Sequence, residues 1–85
     1  MHGSWPFAQL WFDRDCAVIR MGPFAGVAMP RWRVVDIELE RVPLSRSTQI
    51  RFVGSSGEFD ASVFWTSEAA TVLPALRAWG WPVPD

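Results

Sequence analysis

Asp36, Glu38 and Glu40 are the residues best placed by spacing to do acid–base chemistry. Side chains two apart on a strand point to the same side, so the run lines up three carboxyls in a row, a geometry from which a general acid and base could be drawn. Arg31, Arg33 and Arg41 lie on the same segment, and compensating surface pairs of modest value account for such a row as a solvated face. Cys16 is the one thiol. It opens a strand-like run without a His and Asn context, so it reads as a small buried hydrophobe and not as a nucleophile. His2 stands beside Met1, where nothing orders it as a base or ligand. One Cys and one distant His cannot supply the three or four ligands of a zinc site. The run from Gly22 to Gly26 is too short for a dinucleotide fingerprint and precedes no helix, and Gly54-Ser55-Ser56-Gly57 lacks a nucleophile-elbow pattern. All 8 basic residues are Arg and there is no Lys or Tyr. The Schiff-base amine, the phosphate-loop lysine and the phenolic acid are therefore removed from the catalytic choices. No catalytic, cofactor-binding or metal-ligating residue is assigned, and the chain reads as non-enzymatic.

Surface recognition is the remaining class of function, and the aromatic residues point to it. The 85 residues include 6 Trp and 6 Phe, more indole than a small core readily holds. Trp5 and Trp11 share parity in the first apolar segment, and Trp79 and Trp81 close the last one. An interaction surface is expected from Trp5, Phe7, Leu10 and Trp11 together with Trp79 and Trp81. Arg31-Trp32-Arg33 has the composition of a contact site, but alternation with Val34 assigns Trp32 to the core. An alternative is a small-molecule or peptide site in a cleft between sheet and helix, where Arg51 and Trp65 would combine one charge with apolar contact. The net charge is -1 and the charges are interleaved, which argues against a nucleic-acid partner.

These residues must be positioned by short elements cut out by Gly, Pro and Ser. One domain is expected over residues 1–85, mostly β: about five antiparallel strands in one bent sheet, closed by a C-terminal helix over about 67–79. The extended segments are Phe7 to Phe12, Cys16 to Met21, Arg31 to Val42, a strand around Ile50 and Phe52, and Glu58 to Trp65. In the third, the apolar parity changes after Val34, so a β-bulge near Val35-Asp36 is expected, turning Trp32, Val34, Val35, Ile37 and Leu39 to one core. In the last, Phe59, Ala61, Val63 and Trp65 are expected on one side. Ala69, Val72, Leu73, Leu76 and Trp79 form the helix stripe. Ser67 could cap the helix, but Pro74 would then lie in its interior; a cap at Thr71 would place Pro74 in the first turn. Gly80 suits the C′ position, with Trp81 folding back on Leu76.

This order of elements, with the tail Leu73-Pro74-Ala75-Leu76-Arg77-Ala78-Trp79-Gly80-Trp81-Pro82-Val83, resembles the bacterial pleckstrin-homology-like domains. Arg20-Met21-Gly22-Pro23-Phe24 followed by Pro30 to Val42 is similar to that family's strand, Gly-containing loop and strand broken before an aspartate–isoleucine pair. The resemblance spans roughly residues 15 to 83. It implies a strongly bent seven-stranded sheet closed by a helix, of which five strands are recognised here. A version lacking its first strands would leave an open edge, so homodimerisation or binding of a protein partner through the first strand is expected. Relatives that bind phosphoinositides use basic residues between their first two strands. Here the loops offer Asp13-Arg14-Asp15 or Arg46, so peripheral membrane contact has no support. A single Cys and the lack of a leader or an apolar span fit a cytoplasmic protein without an integral membrane segment.

Overall fold

The computed structural model describes residues 2–4, 8–21, 26–44, 46–59 and 62–84. The described residues are mostly β with one C-terminal helix, but they form seven strands in two antiparallel sheets where a single five-stranded sheet was expected. Strands β1 (His2–Ser4), β2 (Ala8–Phe12), β3 (Cys16–Met21) and β4 (Val27–Pro30) form one sheet in chain order. Strands β5 (Val34–Arg41), β6 (Thr48–Gly54) and β7 (Val63–Thr66) form the other, and β1 and β2 lie against β7. The two unanticipated strands are β1 and β4. His2-Gly3-Ser4 carries no apolar alternation and is strand only because β2 offers a ladder, pairing His2 with Leu10 and Ser4 with Ala8. β4 ends in Pro30, ordinarily a strand breaker. Arg31 N–H donates to Asp15 O at 2.7 Å, which with the Cys16–Pro30 register turns the backbone groups of Val27 and Met29 toward β3 and those of Ala28 and Pro30 away. The missing Pro30 amide thus falls on the free edge, where no ladder needs it.

The first strand is consequently not an open edge. β2 is paired on both sides, to β1 and to β3.

The bulge lies where the parity change places it, between Val34 and Asp36: Val34 pairs with Gly54 and Asp36 with Val53. Val34 and Ile37 are buried and Leu39 packs against the core, as expected. Val35 is the extra residue and is turned outward, 58% exposed, because nothing opposes it on β6. Trp32 is not in the core either. It sits on a 3-10 turn, Arg31–Arg33, which breaks the expected long strand and leaves the indole 81% exposed. In the last strand the expected facing is reversed: Phe64 and Thr66 are buried, and Trp65 looks outward with Val63. Glu58 and Phe59 belong to the turn, not the strand. Phe59 reaches the core from it, and parity restarts at Val63; Ala61 lies outside the described residues.

Helix α1 (Ala69–Ala78) begins neither at Ser67 nor after Thr71. The Thr66 hydroxyl accepts the Glu68 N–H at 2.9 Å, and the Glu68 carbonyl accepts the N–H groups of Thr71 and Val72. Pro74 therefore lies inside the helix, on its exposed side, where its missing N–H forgoes the bond to Ala70 O. The far end is a Schellman cap: Gly80, at φ +91°, donates to Arg77 O at 3.0 Å, and Trp81 N–H donates to Leu76 O at 3.1 Å. Val72 and Leu76 from the helix, Leu10, Ile19 and Met29 from the first sheet, and Ile37, Ile50, Phe52 and Phe64 from the second form one core. Each such side chain contributes about 1.5–3 kcal/mol by leaving water.

Candidate functional site

On the first sheet, Leu10 and Ile19 point inward, so Trp11 and Val18 point out. Trp11 is opposite Val18, and Val18 is opposite Ala28, which makes a row across three strands with Trp11 46% exposed. The next outward row, Gln9 and Arg20, is polar. Trp79 is also 46% exposed, and the Arg14 guanidinium lies 5.6 Å from its ring centroid. Arg14 belongs to the β2–β3 turn, so Trp79 borders the end of the strand that carries Trp11.

Two residues expected on this surface are in the core instead. Leu10 has no exposure, since alternation along β2 turns it to the interior between His2 and Ile19 on the flanking strands. Trp81 is buried because the helix cap folds it over the core. Its ring meets Phe52 edge-on at 5.6 Å, its indole N–H donates to Asp13 O at 2.7 Å, and the Arg31 guanidinium lies 5.6 Å from its centroid. Arg31 in turn donates from Nε to Gly80 O at 3.0 Å and from Nη1 to Val34 O at 2.9 Å, so it is a structural clamp and not a free contact residue. Trp5 and Phe7 lie outside the described residues.

Arg51 and Trp65 are brought together, but on the outer face of the second sheet, away from α1. The inward side, where a cleft was expected, is filled by Ile50, Phe52 and Phe64 against Val72 and Leu76, all buried. Outside, the register sets Glu40, Gln49 and Trp65 in one row and Glu38, Arg51 and Val63 in the next. Trp65 Nε1–H donates to Gln49 Oε1 at 3.0 Å, which fixes an indole that is 46% exposed. Arg51 Nε is shielded from solvent without a hydrogen-bond partner.

The carboxylate row exists as read from spacing, yet its members differ. All three are exposed, but Asp36 Oδ1 accepts the N–H of Ile37 at 2.8 Å, whereas the Glu38 and Glu40 side chains bond no described residue. Val42 N–H donates to Ser47 O, so Asp36, Glu38 and Glu40 bond β6, and Ile37 turns its backbone to the free edge that Asp36 covers. Cys16 is half-buried, its Sγ 3.6 Å from Ala17 O. Among the described residues no group of three His, Cys, Asp or Glu side chains is placed to hold a metal ion, and no helix is long and apolar enough to cross a membrane.

Trp32 is the exposed aromatic that pattern reading missed. Arg33 lies 5.6 Å from its ring centroid and is tied to Glu58 Oε2 at 3.0 Å. The available signal was the parity break itself: a residue just ahead of a bulge need not continue the strand, and the flanking arginines marked a surface. Comparison with family models, with curated proteins and with solved structures finds no match to this chain.

Proposed function

We propose that the domain is a non-enzymatic, pleckstrin-homology-like interaction module of bacterial type. It would act in the cytoplasm by associating with a second copy of itself or with another protein. The fold part of this reading is supported by the seven strands among the described residues, followed by one helix, which is the element count the resemblance implies although the strands divide into sheets of four and three. The observation that carries the functional part is the Trp11–Val18–Ala28 row, an aromatic and aliphatic strip on the outside of a paired sheet, bordered by a β4 edge without a charged residue. Association is therefore assigned to the face of the first sheet and its β4 border, not to the backbone edge of β2. Such a strip is small beside the roughly 800 Å² per partner of standard interfaces, so the association is expected at μM affinity.

Size exclusion coupled to light scattering over about 100 to 1 μM tests it. The wild-type chain is expected to pass from dimer to monomer across this range. Trp11→Arg should be monomeric throughout while keeping its circular dichroism, because the side chain is outside the core. A wild-type chain that is monomeric at about 100 μM would overturn self-association, and a Trp11→Arg chain that still dimerises would overturn the assigned face.

A further inference from the structure

We propose that the outer face of the β5–β6–β7 sheet is a docking surface for a cationic peptide segment, with a Lys or Arg side chain lying on Trp65 and its charge directed at Glu40 and Glu38. This surface is separate from the Trp11 strip, and the inference does not rest on self-association.

Three observations carry it. The indole is held in place: its N–H is spent on Gln49 Oε1 across the strand pair, so Trp65 leans onto β6 while about half of its surface stays in water. An aromatic face fixed in this way attracts a cation through its quadrupole and loses little rotamer freedom on binding. The charge beside it is negative. Three carboxylates share the face with one guanidinium, and Glu38 and Glu40 make no hydrogen bond or ion pair among the described residues. The spacing also fits. Strands are about 4.8 Å apart, which puts Glu40 two strand spacings, about 10 Å, from the Trp65 backbone. A ring leaning over β6 covers much of that gap, leaving a distance that one extended Lys or Arg side chain spans.

An acidic segment seeking Arg51 is the competing occupant. Arg51 sits in the same row as Glu38, with Asp36 and Glu40 in the flanking rows, and its Nε is shielded from solvent. An incoming carboxylate would meet like charge first, so the cationic partner is favoured.

The test is a ¹⁵N NMR titration of the intact chain with a capped alternating Gly–Lys peptide, and with the same peptide carrying Glu for Lys. The Trp65 indole resonance is identified by its loss in Trp65→Phe. The Lys peptide is expected to move the Trp65 indole and the Gln49 and Arg51 amides, with Kd on the order of 100 μM to 1 mM, weakening several-fold between about 50 and 300 mM salt. The double substitution Glu38→Gln/Glu40→Gln should weaken binding by about 5-fold or more while resonances of the buried core stay in place. Trp11→Arg should leave the titration unchanged. A Trp65 indole unmoved at mM peptide, an affinity indifferent to the double substitution, or a stronger response to the Glu peptide would each overturn the proposal.

Discussion

Trp81 joins pieces of the chain that are distant in sequence, and the dependence of the fold on it can be measured in separable parts. The side chain is 3% exposed and makes three contacts that join distant pieces of chain: ring to Phe52, indole N–H to Asp13 O, and guanidinium stacking from Arg31. Trp81→Ala removes all three and leaves a cavity, for which about 3–5 kcal/mol is expected. An 85-residue domain has about 4–13 kcal/mol in total, so this one substitution takes from about a quarter to all of the stability. Trp81→Phe is more discriminating. It keeps an aromatic ring against Phe52 but strips the donor from Asp13 O and shortens the ring, so about 1–3 kcal/mol should be lost. Trp79→Phe is the control: it alters an indole of the same helix end that is half in water, and a change within about 0.5 kcal/mol is expected. Urea unfolding followed by far-ultraviolet circular dichroism avoids the altered tryptophan fluorescence. With a slope of about 1–1.5 kcal/mol per M, Trp81→Phe should move the midpoint down by roughly 0.7–3 M at unchanged slope. Equal midpoints for Trp81→Phe and wild type, or equal losses for Trp81→Phe and Trp79→Phe, would refute the assignment of Trp81 as the fastening of the core.

Two further outcomes follow from backbone geometry. Gly80→Ala places a Cβ on a residue at φ +91° with open space around it, so the loss should be conformational alone, about 1 kcal/mol, read as a fall in Tm of about 4–8 °C. A loss above about 3 kcal/mol would show that something besides the backbone angle is at stake. Asp36→Ala should cost about 1 kcal/mol and uncover the Ile37 N–H on the edge of β5, giving, when introduced into the monomeric Trp11→Arg background, concentration-dependent scattering that Trp11→Arg alone lacks at the same ionic strength. Unchanged scattering would mean that the bulge alone protects that edge.

The parts of the fold legible in the sequence are those where one side chain pattern had a single consistent solution. The parity change after Val34 located the bulge, Gly80 located the helix cap, and the alternation around Ile50 and Phe52 located β6, which is buried at Ile50, Phe52 and Gly54. What escaped reading was set by partners distant in the chain. β1 has no pattern of its own and exists through β2, and β4 accepts a proline because the backbone there faces outward. The parity of β7 was lost across the turn that buries Phe59, which exchanged the inside and outside of Phe64 and Trp65. The same holds for the surfaces. Composition showed that six indoles exceed what a small core takes, and Trp11, Trp32, Trp65 and Trp79 are indeed exposed. Which indole would be enclosed depended on the cap: Gly80 at C′ marks the turn that folds Trp81 back on Leu76 and into the core, whereas Trp79, read as the end of the helix stripe, is half in water.

The bond from the Trp81 indole to Asp13 O spans 68 positions, and that separation has a bearing on the tempo of folding. Closing a loop of that length costs about 4 kcal/mol in chain entropy before any contact is regained, so Trp81 is expected to dock after the hairpins have formed, on the native side of the barrier. Interactions made that late leave the folding rate nearly unchanged and govern the unfolding rate. The lifetime of the native state, more than the speed of reaching it, is thereby placed under the control of one indole ring.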